Sequence, residues 1–576
     1  MIFLFVFVSC LEVVGTGIIG PFMAIVTNPN SIESIHWLNS VYTQLNFTSE
    51  EQLVFFLGLL VIIAFYVKAF LSFKAQKAVF DFGFGLRGEL AQKLMKAYIE
   101  APYSFHLRVN SATIIQNVIA STENFCIGLV LSFLTSISNI IVILALVILL
   151  VKTDALALIF IAMIMLLALG LLKPMKESLA NWGKDGWQAS SEMIRIMNHG
   201  MGGLKETRVI GCESYFENQM EEQTKRYAKN LSMASAYGNL PRYVIEAFMI
   251  SFLICFTLLF IKINQGNGQS LTAVLGIFAL ASIRLLPGIG NLISGINMVR
   301  INTHALDGLF FDFKELENGK LLPSIDFKNT SLSISSNQNE KFILFQENII
   351  LDKLTFQYPN ATKKALDEIS FTIRKGESIG IIGKSGSGKT TLVDVILGLF
   401  TPQSGDIKVD GVSVYDNLRA WQNILGYVPQ SIFLIDDTLE RNIAFGTPDN
   451  LIDQDRLRKA IEVAQLSEVV EQLPQGIKTV VGERGVLLSG GQRQRVGIAR
   501  VLYHEREILV FDEATAALDN ETEQLVTEAT KALSGNKTII IIAHRLQTIE
   551  HCDCIYQIEK GRIVKSGNYK EVILEK

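Results

Sequence analysis

Residues 379–400 read IGIIGKSGSGKTTLVDVILGLF, and residues 486–519 read VLLSGGQRQRVGIARVLYHEREILVFDEATAALD. In the first stretch, GKSGSGKT at 383–390 fits G-x-x-x-x-G-K-[ST] in full. An apolar run precedes it and a helix-like run follows. That is the strand–loop–helix context a phosphate-cradling loop requires, which a chance match on a surface loop lacks. Gly383, Gly386 and Gly388 let backbone N–H groups turn toward phosphate oxygens, with Lys384, Ser385 and Ser387 between them in the same cradle. Lys389 is placed to reach the β- and γ-phosphates, and Thr390 to put its hydroxyl on Mg²⁺. Thr391 follows in the first helical turn, whose dipole favours an anion. The expected cofactors are ATP and Mg²⁺.

The second stretch completes the chemistry. EILVFDE (507–513) is an apolar strand ending in two acids. Asp512 suits a Mg²⁺ contact, and Glu513 can polarise an attacking water as general base. TIIIIAH (538–544) ends in His544, which could contact the γ-phosphate and sense its loss. A lone histidine after a strand is ordinarily structural; the P-loop and the paired acids favour a functional role. LSGGQ (488–492) makes a second anion-binding turn, from Ser489, Gly490, Gly491 and Gln492, ahead of a helix. A second such turn in one domain implies a composite site, in which one subunit's LSGGQ closes on the other's P-loop.

Outside this region the chain changes character. It has 576 residues, 49% hydrophobic and 19% charged, with a mean hydropathy of +0.32. That is too long for one core and too apolar for an ordinary soluble protein. The net charge of −4 and the lack of a basic stripe argue against nucleic acid as a partner. Cys10, Cys126, Cys212, Cys255, Cys552 and Cys554 form no CxxC pair, so neither a disulfide framework nor a metal site is expected. Six candidate spans fall at 1–27, 53–73, 126–151, 154–173, 241–261 and 273–297, each near the ~20 residues a hydrocarbon core demands. Lys and Arg concentrate in 74–125 and 173–240 and are absent from 28–52. Positive residues mark the cytoplasmic side, so both termini are expected inside an inner (plasma) membrane. The two basic segments are helix-rich, each interrupted once, at 101–111 and 198–214. They read as helices running well past the membrane to meet a soluble motor; plain cytoplasmic loops are the alternative. The chain opens MIFLFVFVSC, with no basic n-region. That fits a first transmembrane helix better than a signal peptide, with a cytoplasmic lead-in expected before it.

LSGGQRQR is the signature sequence of ATP-binding cassette (ABC) proteins, and the whole chain resembles an ABC exporter half-transporter of the six-helix type. The expected fold is an α-helical transmembrane bundle of six spans with long cytoplasmic extensions, followed by an α/β P-loop NTPase domain. The expected boundaries are 1–312, a flexible linker at 313–348, and 349–576. The resemblance implies that Tyr358 in LTFQYP stacks on adenine. It implies that Gln430 in GYVPQ touches Mg²⁺ and the attacking water, and that Glu483 in VVGERG lies where cassettes meet coupling helices. It also implies that Asp519 links the two sites of a dimer. The usual Ser-Ala-Leu-Asp is Ala516-Ala517-Leu518-Asp519 here, so one hydroxyl is missing. The partner is expected to be a second copy (a homodimer) or a related half-transporter.

Polar groups inside membrane spans are costly and therefore informative. Arg242 and Glu246 stand four apart at the start of the fifth span, where an intrahelical ion pair competes with a substrate role. Arg284 lies in mid-span beside Pro287 and calls for an anion or a water-filled cavity. Glu12 sits in the first span, as a helix partner or a substrate contact. LPRYVIEA and SIRLLPG resemble segments of bacterial flippases for lipid-linked oligosaccharides, which implies an amphiphilic, anionic cargo and contact with membrane lipid. A multidrug or lipid A-type exporter is the rival. An ABC protein that gates or regulates without pumping is a further alternative, which the intact Glu513 and His544 disfavour. Asn46-Phe47-Thr48 matches a glycosylation sequon by chance alone.

Overall fold

The computed structural model describes residues 50–151, 155–263, 268–318, 343–359, 361–512 and 545–574. Of 513–544 it describes residues 524, 527, 528, 530, 531 and 533–543. The chain divides into two compact units, one within the first 326 residues and one from Phe327 onward.

Four very long helices dominate the first unit: α1 (Glu50–Glu100), α3 (Ala155–Gly202), α4 (Glu213–Ile263) and α5 (Gly268–Asn318), with α2 (Ser132–Val151) between α1 and α3. At 51 residues, α1 is about 75 Å long, against about 30 Å of hydrocarbon core. The expected extensions are therefore continuous helix, and the spans read at 53–73, 154–173, 241–261 and 273–297 lie on these helices. Pro174, Pro241 and Pro287 each sit inside a helix that runs on through them. α5 continues to Asn318, into the stretch read as linker. The rest of the linker and the first span lie outside the described residues.

Among the described residues, two helical stretches, Gln52–Glu100 and Ser111–Leu144, are long and apolar enough to cross a membrane. Along α1, Phe55, Leu59, Ile62, Tyr66 and Phe70 are all exposed, a surface that water does not tolerate and lipid does. The helices break where the sequence predicts. α1 gives way to a short Tyr103–His106 helix before Asn110, whose side chain accepts from Ala112 N–H and caps the next helix. The second break holds the short Leu204–Ile210 helix, ended by Gly211 in the left-handed region at φ 73°. Close helix approach uses a missing side chain. A Cβ on Gly295 of α5 would lie 2.1 Å from Ser136 Oγ on α2.

The second unit contains two sheets. One is antiparallel in the order β2-β1-β4-β5, built from β1 (Asn348–Phe356), β2 (Leu366–Arg374), β4 (Ser404–Val409) and β5 (Val412–Ser413). The other runs β10-β9-β3-β8-β7-β6 and is parallel from β9 to β6. Its strands are β3 (Ser378–Ile382), β6 (Leu425–Val428), β7 (Ile508–Asp512), β8 (Thr538–Ile542), β9 (Cys554–Glu559) and an antiparallel edge, β10 (Arg562–Gly567). Every residue of β3, β7 and β8 is buried, as expected of central parallel strands covered on both faces. One core joins the antiparallel sheet to one face of the parallel sheet through Leu351, Ile381, Val510 and Ile540. The other core covers the opposite face with Val428, Val496, Phe511 and Ile541.

Helix α6 (Lys389–Ile396) follows the P-loop and packs into the first of these cores through Leu392, Val393, Val395 and Ile396. Trp421, fully buried, donates its indole N–H to Ile396 O at 2.7 Å and so secures the end of α6. Trp421→Ala is expected to lower the unfolding free energy of this unit by about 3–5 kcal/mol, read from denaturant melts. A loss under 1 kcal/mol, on the order of an exposed-site change, would contradict this packing role.

Candidate functional site

The P-loop leaves the end of β3, a central strand, and enters α6. Gly388 has φ 107° and forms the N-cap of α6. A Cβ there would lie 2.5 Å from Ala365 O, so both the dihedral and the space demand glycine. Lys389 is buried although charged, and its ammonium donates to the carbonyls of Gly383 (2.8 Å) and Lys384 (3.2 Å). The loop thus holds a cation within its own curl. Lys384, Ser385, Gly386 and Thr390 are exposed along the loop, while Ser387 and Thr391 are buried. The loop is tied down by Gly561 N–H donating to Ser387 O at 2.9 Å. Ser387 Oγ is buried with no hydrogen-bond partner. A buried cation held only by neutral carbonyls and an orphaned hydroxyl is a donor set that fits phosphate oxygens.

Asp512, at the end of β7, is buried, and its Oδ2 accepts from Tyr427 O–H at 3.3 Å. A second acid faces it. Asp394 lies on α6, and burial, then the Asp512 carboxylate, pushes its carboxyl up to about 6. Two carboxylates in one half-dry place fit a divalent cation. Burial also pushes the Tyr427 phenol well above its usual range, so it stays a donor to Asp512. Sequence reading missed Asp394 and Tyr427. The signal for Asp394 was an acid inside the otherwise apolar run TLVDVILGLF.

The sign of the Asp394 shift gives a pH prediction. Its folded value lies above the ordinary one of about 4, so the folded chain binds that proton more tightly. The stability it contributes is complete below about pH 4 and is lost as pH rises through about 6. Without Mg²⁺, Asp394→Asn is expected to melt above the parent at pH 7 and with it at pH 4. Equal melting temperatures at both pH values would remove the coupling.

Tyr358, just after β1, is half-buried. Its ring meets Phe356 and Phe400 edge-on, at centroid distances of 5.1 and 5.6 Å, and its hydroxyl lies 3.1 Å from Thr391 Oγ1. The structure therefore sets this ring against the P-loop helix. Gln430 follows β6; its carbonyl accepts from Gln494 Nε2 at 2.8 Å. Gln494 is buried in α9 (Gly490–Tyr503), numbered after α7 (Leu439–Ile443) and α8 (Gln454–Val463). This bond ties the Gln430 loop to the LSGGQ helix, a link that sequence reading did not find.

Ser489 caps α9. Its hydroxyl accepts from Gln492 N–H (3.2 Å), and Gln492 Oε1 accepts from Ser489 N–H (2.8 Å), a full capping box. Ser489 and Gly490 are exposed, Gly491 is buried and Gln492 is half-buried. α9 packs beside β6, three strands from β3 in the sheet order, or about 14 Å at ~4.8 Å per strand. The LSGGQ turn and the P-loop of one chain thus belong to separate parts of the sheet. Upstream, Arg484 takes φ 53°, and a Cβ on Gly485 would lie 2.5 Å from Leu434 Cδ1, so VVGERG forms a fixed turn with Glu483 exposed.

Glu513, Asp519, His544 and Glu12 lie outside the described residues, as does the Asn46 sequon. Arg284 lies on α5, and only its backbone is described. Arg242 and Glu246 are both exposed on α4, yet among the described residues no ion pair joins them, contrary to the structural alternative above. Arg242 instead lays its stem along α5, where a Cβ on Gly290 would lie 3.4 Å from Arg242 Cγ. Cys126, Cys212, Cys255, Cys552 and Cys554 are free thiols. Among the described residues no cluster of three or more His, Cys, Asp or Glu could hold a metal ion.

Residues 1–283 match the family model of the ABC transporter transmembrane region, and residues 366–516 match the ABC transporter model. The chain is 30% identical over 490 residues to the ATP-dependent lipid A-core flippase of Ralstonia nicotianae, covering 84% of this chain and 79% of that one. It is 28% identical over 550 residues to the protein of the same description from a Shewanella species, covering 92% and 86%. Among solved structures, a bacterial Atm1-family ABC exporter with ATP bound superposes with a TM-score of 0.75 over 98% of this chain and 96% of that one. At 21% identity, that likeness speaks for the fold alone.

Proposed function

This chain belongs to the ABC transporter family, with a transmembrane region fused to its own ATPase domain, and from that premise we propose that it flips or exports an anionic glycolipid across the membrane. The observation that carries the reading is the likeness, over 84% of the chain, to a lipid A-core flippase. Hydrolysis of ATP drives the transport. Lipid A-type and polyprenyl-pyrophosphate-linked glycans share the chemistry at issue: phosphate, sugar and long acyl or prenyl chains.

One transmembrane unit and one ATPase unit call for a dimer. The exposed Ser489 turn, at the start of a helix beside β6 and three strands away from β3, is available to close on the P-loop of a second copy. ATP then acts by binding the closed dimer more tightly than the open one. Mg²⁺, when bound, neutralises charge developing on the phosphates. Thr390, Asp512 and Gln430 are the residues to hold it. Lys389 binds the phosphates, Tyr358 orients the base, Glu513 takes the proton of the attacking water and His544 senses the γ-phosphate. Asp519 links the two sites. The long helices carry the motion to the bundle, both termini stay cytoplasmic, and Arg284 and Arg242 face the anionic cargo, with Glu246 and Glu12 lining the same path.

Mass spectrometry of lipids co-purifying with the ATP-free protein tests this reading. Enrichment of lipid A or of a polyprenyl-pyrophosphate glycan, lost in Arg284→Ala, is the expected result, and the species found separates the two cargo classes. Arg284→Ala is also expected to lower lipid-stimulated ATP turnover severalfold while ATP affinity is unchanged. Bulk phospholipid alone in both samples would overturn the glycolipid assignment.

A further inference from the structure

Asp512 ends β7, whose five residues are all buried, and a carboxylate placed there needs hydrogen-bond donors. One comes from the neighbouring strand. β6 pairs with β7 in parallel, with Tyr427 opposite Val510 and Val428 opposite Phe511. Side chains alternate between the faces of a strand. Leu425 packs in the core with α6 and Val428 in the core on the opposite face, so Tyr427, two residues after Leu425, stands on the α6 side. Val510 packs in that same core, and Asp512, two residues on, faces the same way. The strand period thus brings the two side chains together, and Tyr427 O–H donates to Asp512 Oδ2 at 3.3 Å. An ionised carboxylate only accepts, so the direction of this bond is fixed.

Packing does not call for a hydroxyl at this position. The other three residues of β6 are Leu425, Gly426 and Val428, all buried, whereas Tyr427 is 37% exposed. A phenylalanine would fill the same space. The hydroxyl acts on the plane of the carboxylate. Asp394 on α6 sets a second carboxylate near Asp512. Like charges would turn Asp512 aside, and a neutral donor on Oδ2 resists that turn and makes the two oxygens inequivalent. The aim of a ligand matters most where protein ligands are few. Among the described residues no cluster of three or more His, Cys, Asp or Glu could hold a metal ion, and Mg²⁺ at a nucleotide takes one or two carboxylates plus phosphate oxygens. We propose that Tyr427 is a positioning residue for the divalent cation: its hydroxyl sets the orientation of the Asp512 carboxylate and thereby the affinity of the nucleotide site for the metal. The role rests on the assignment of Asp512 to Mg²⁺ above. Partners that orient a metal ligand are worth about 10- to 100-fold in metal affinity. At 3.3 Å this bond is longer than the usual O–H···O distance of about 2.7–2.8 Å, so the lower end, about tenfold, is expected.

Mn²⁺ is the probe, titrated into the full-length protein with ADP held below the protein concentration, and the free ion is read by electron paramagnetic resonance. Tyr427→Phe is expected to weaken Mn²⁺ about tenfold and to raise the Mg²⁺ concentration for half-maximal ATP turnover by a similar factor, while ADP affinity without metal stays at the parent value. Tyr415→Phe, which removes a buried hydroxyl that has no hydrogen-bond partner, should leave Mn²⁺ affinity unchanged. Asp512→Asn separates the two assignments. If it weakens Mn²⁺ and Tyr427→Phe does not, the positioning role falls and Asp512 keeps the metal. If neither weakens Mn²⁺, the metal assignment of Asp512 falls and the role of Tyr427 with it. Equal losses in Tyr427→Phe and Tyr415→Phe would mark a general loosening of the unit and overturn the positioning role.

Discussion

Lys389→Ala is expected to lower ATP turnover by about 10²- to 10³-fold, with ATP affinity falling alongside it. The ammonium is buried and already held by the Gly383 and Lys384 carbonyls at 2.8 and 3.2 Å, so its position is fixed before any phosphate arrives. A preorganised charge in a half-dry loop is worth far more to a phosphate than a mobile one on a surface. Alanine leaves two neutral carbonyls in its place, which repel the same phosphate. The fold should survive, because α6 is secured by its apolar face and by Trp421, which the substitution does not touch. Nucleotide binding by fluorescence and phosphate release together check this. Turnover within a factor of about two of the parent would remove Lys389 from the site.

Glu513→Gln is expected to have the opposite binding phenotype. Turnover should fall by about 10²- to 10⁴-fold, the range of a general base, while ATP remains bound. The amide keeps the size of the carboxylate and loses its basicity, so Lys389, the P-loop and Asp512 still engage the nucleotide. The trapped state should also be dimeric under the proposed composite site, in which ATP held at one copy's P-loop is closed over by the other copy's LSGGQ turn. Size-exclusion chromatography with and without ATP reads this directly. Full turnover in Glu513→Gln would eliminate Glu513 as the base; a trapped monomer would eliminate the composite site. The two variants are informative as a pair, since one loses ATP and the other retains it.

The motifs and the neighbours that tune them were unequally legible in the sequence. GKSGSGKT, LSGGQ and the EILVFDE strand were plain because each is local. A loop that turns backbone N–H groups on one anion must carry glycine at fixed offsets, and a central parallel strand must be apolar throughout. The long helices were plain for the same reason, since twenty apolar residues and flanking cations are properties of a contiguous segment. What the sequence left open depends on residues far apart in the chain. Asp394 becomes a perturbed acid because the fold buries it on α6 and then sets the Asp512 carboxylate of β7 against it. Gln494 matters because the fold puts α9 beside the loop of Gln430. Tyr358 meets Thr391, 33 residues on, across two strands of different sheets. Arg242 and Glu246, one helical turn apart, were read either as an intrahelical ion pair or as substrate contacts. The tertiary structure lays the Arg242 stem along Gly290 of α5, where the missing side chain leaves room. Local chemistry is written in spacing. The neighbours that tune its charge are chosen by strand order and helix packing, and only the folded chain decides them.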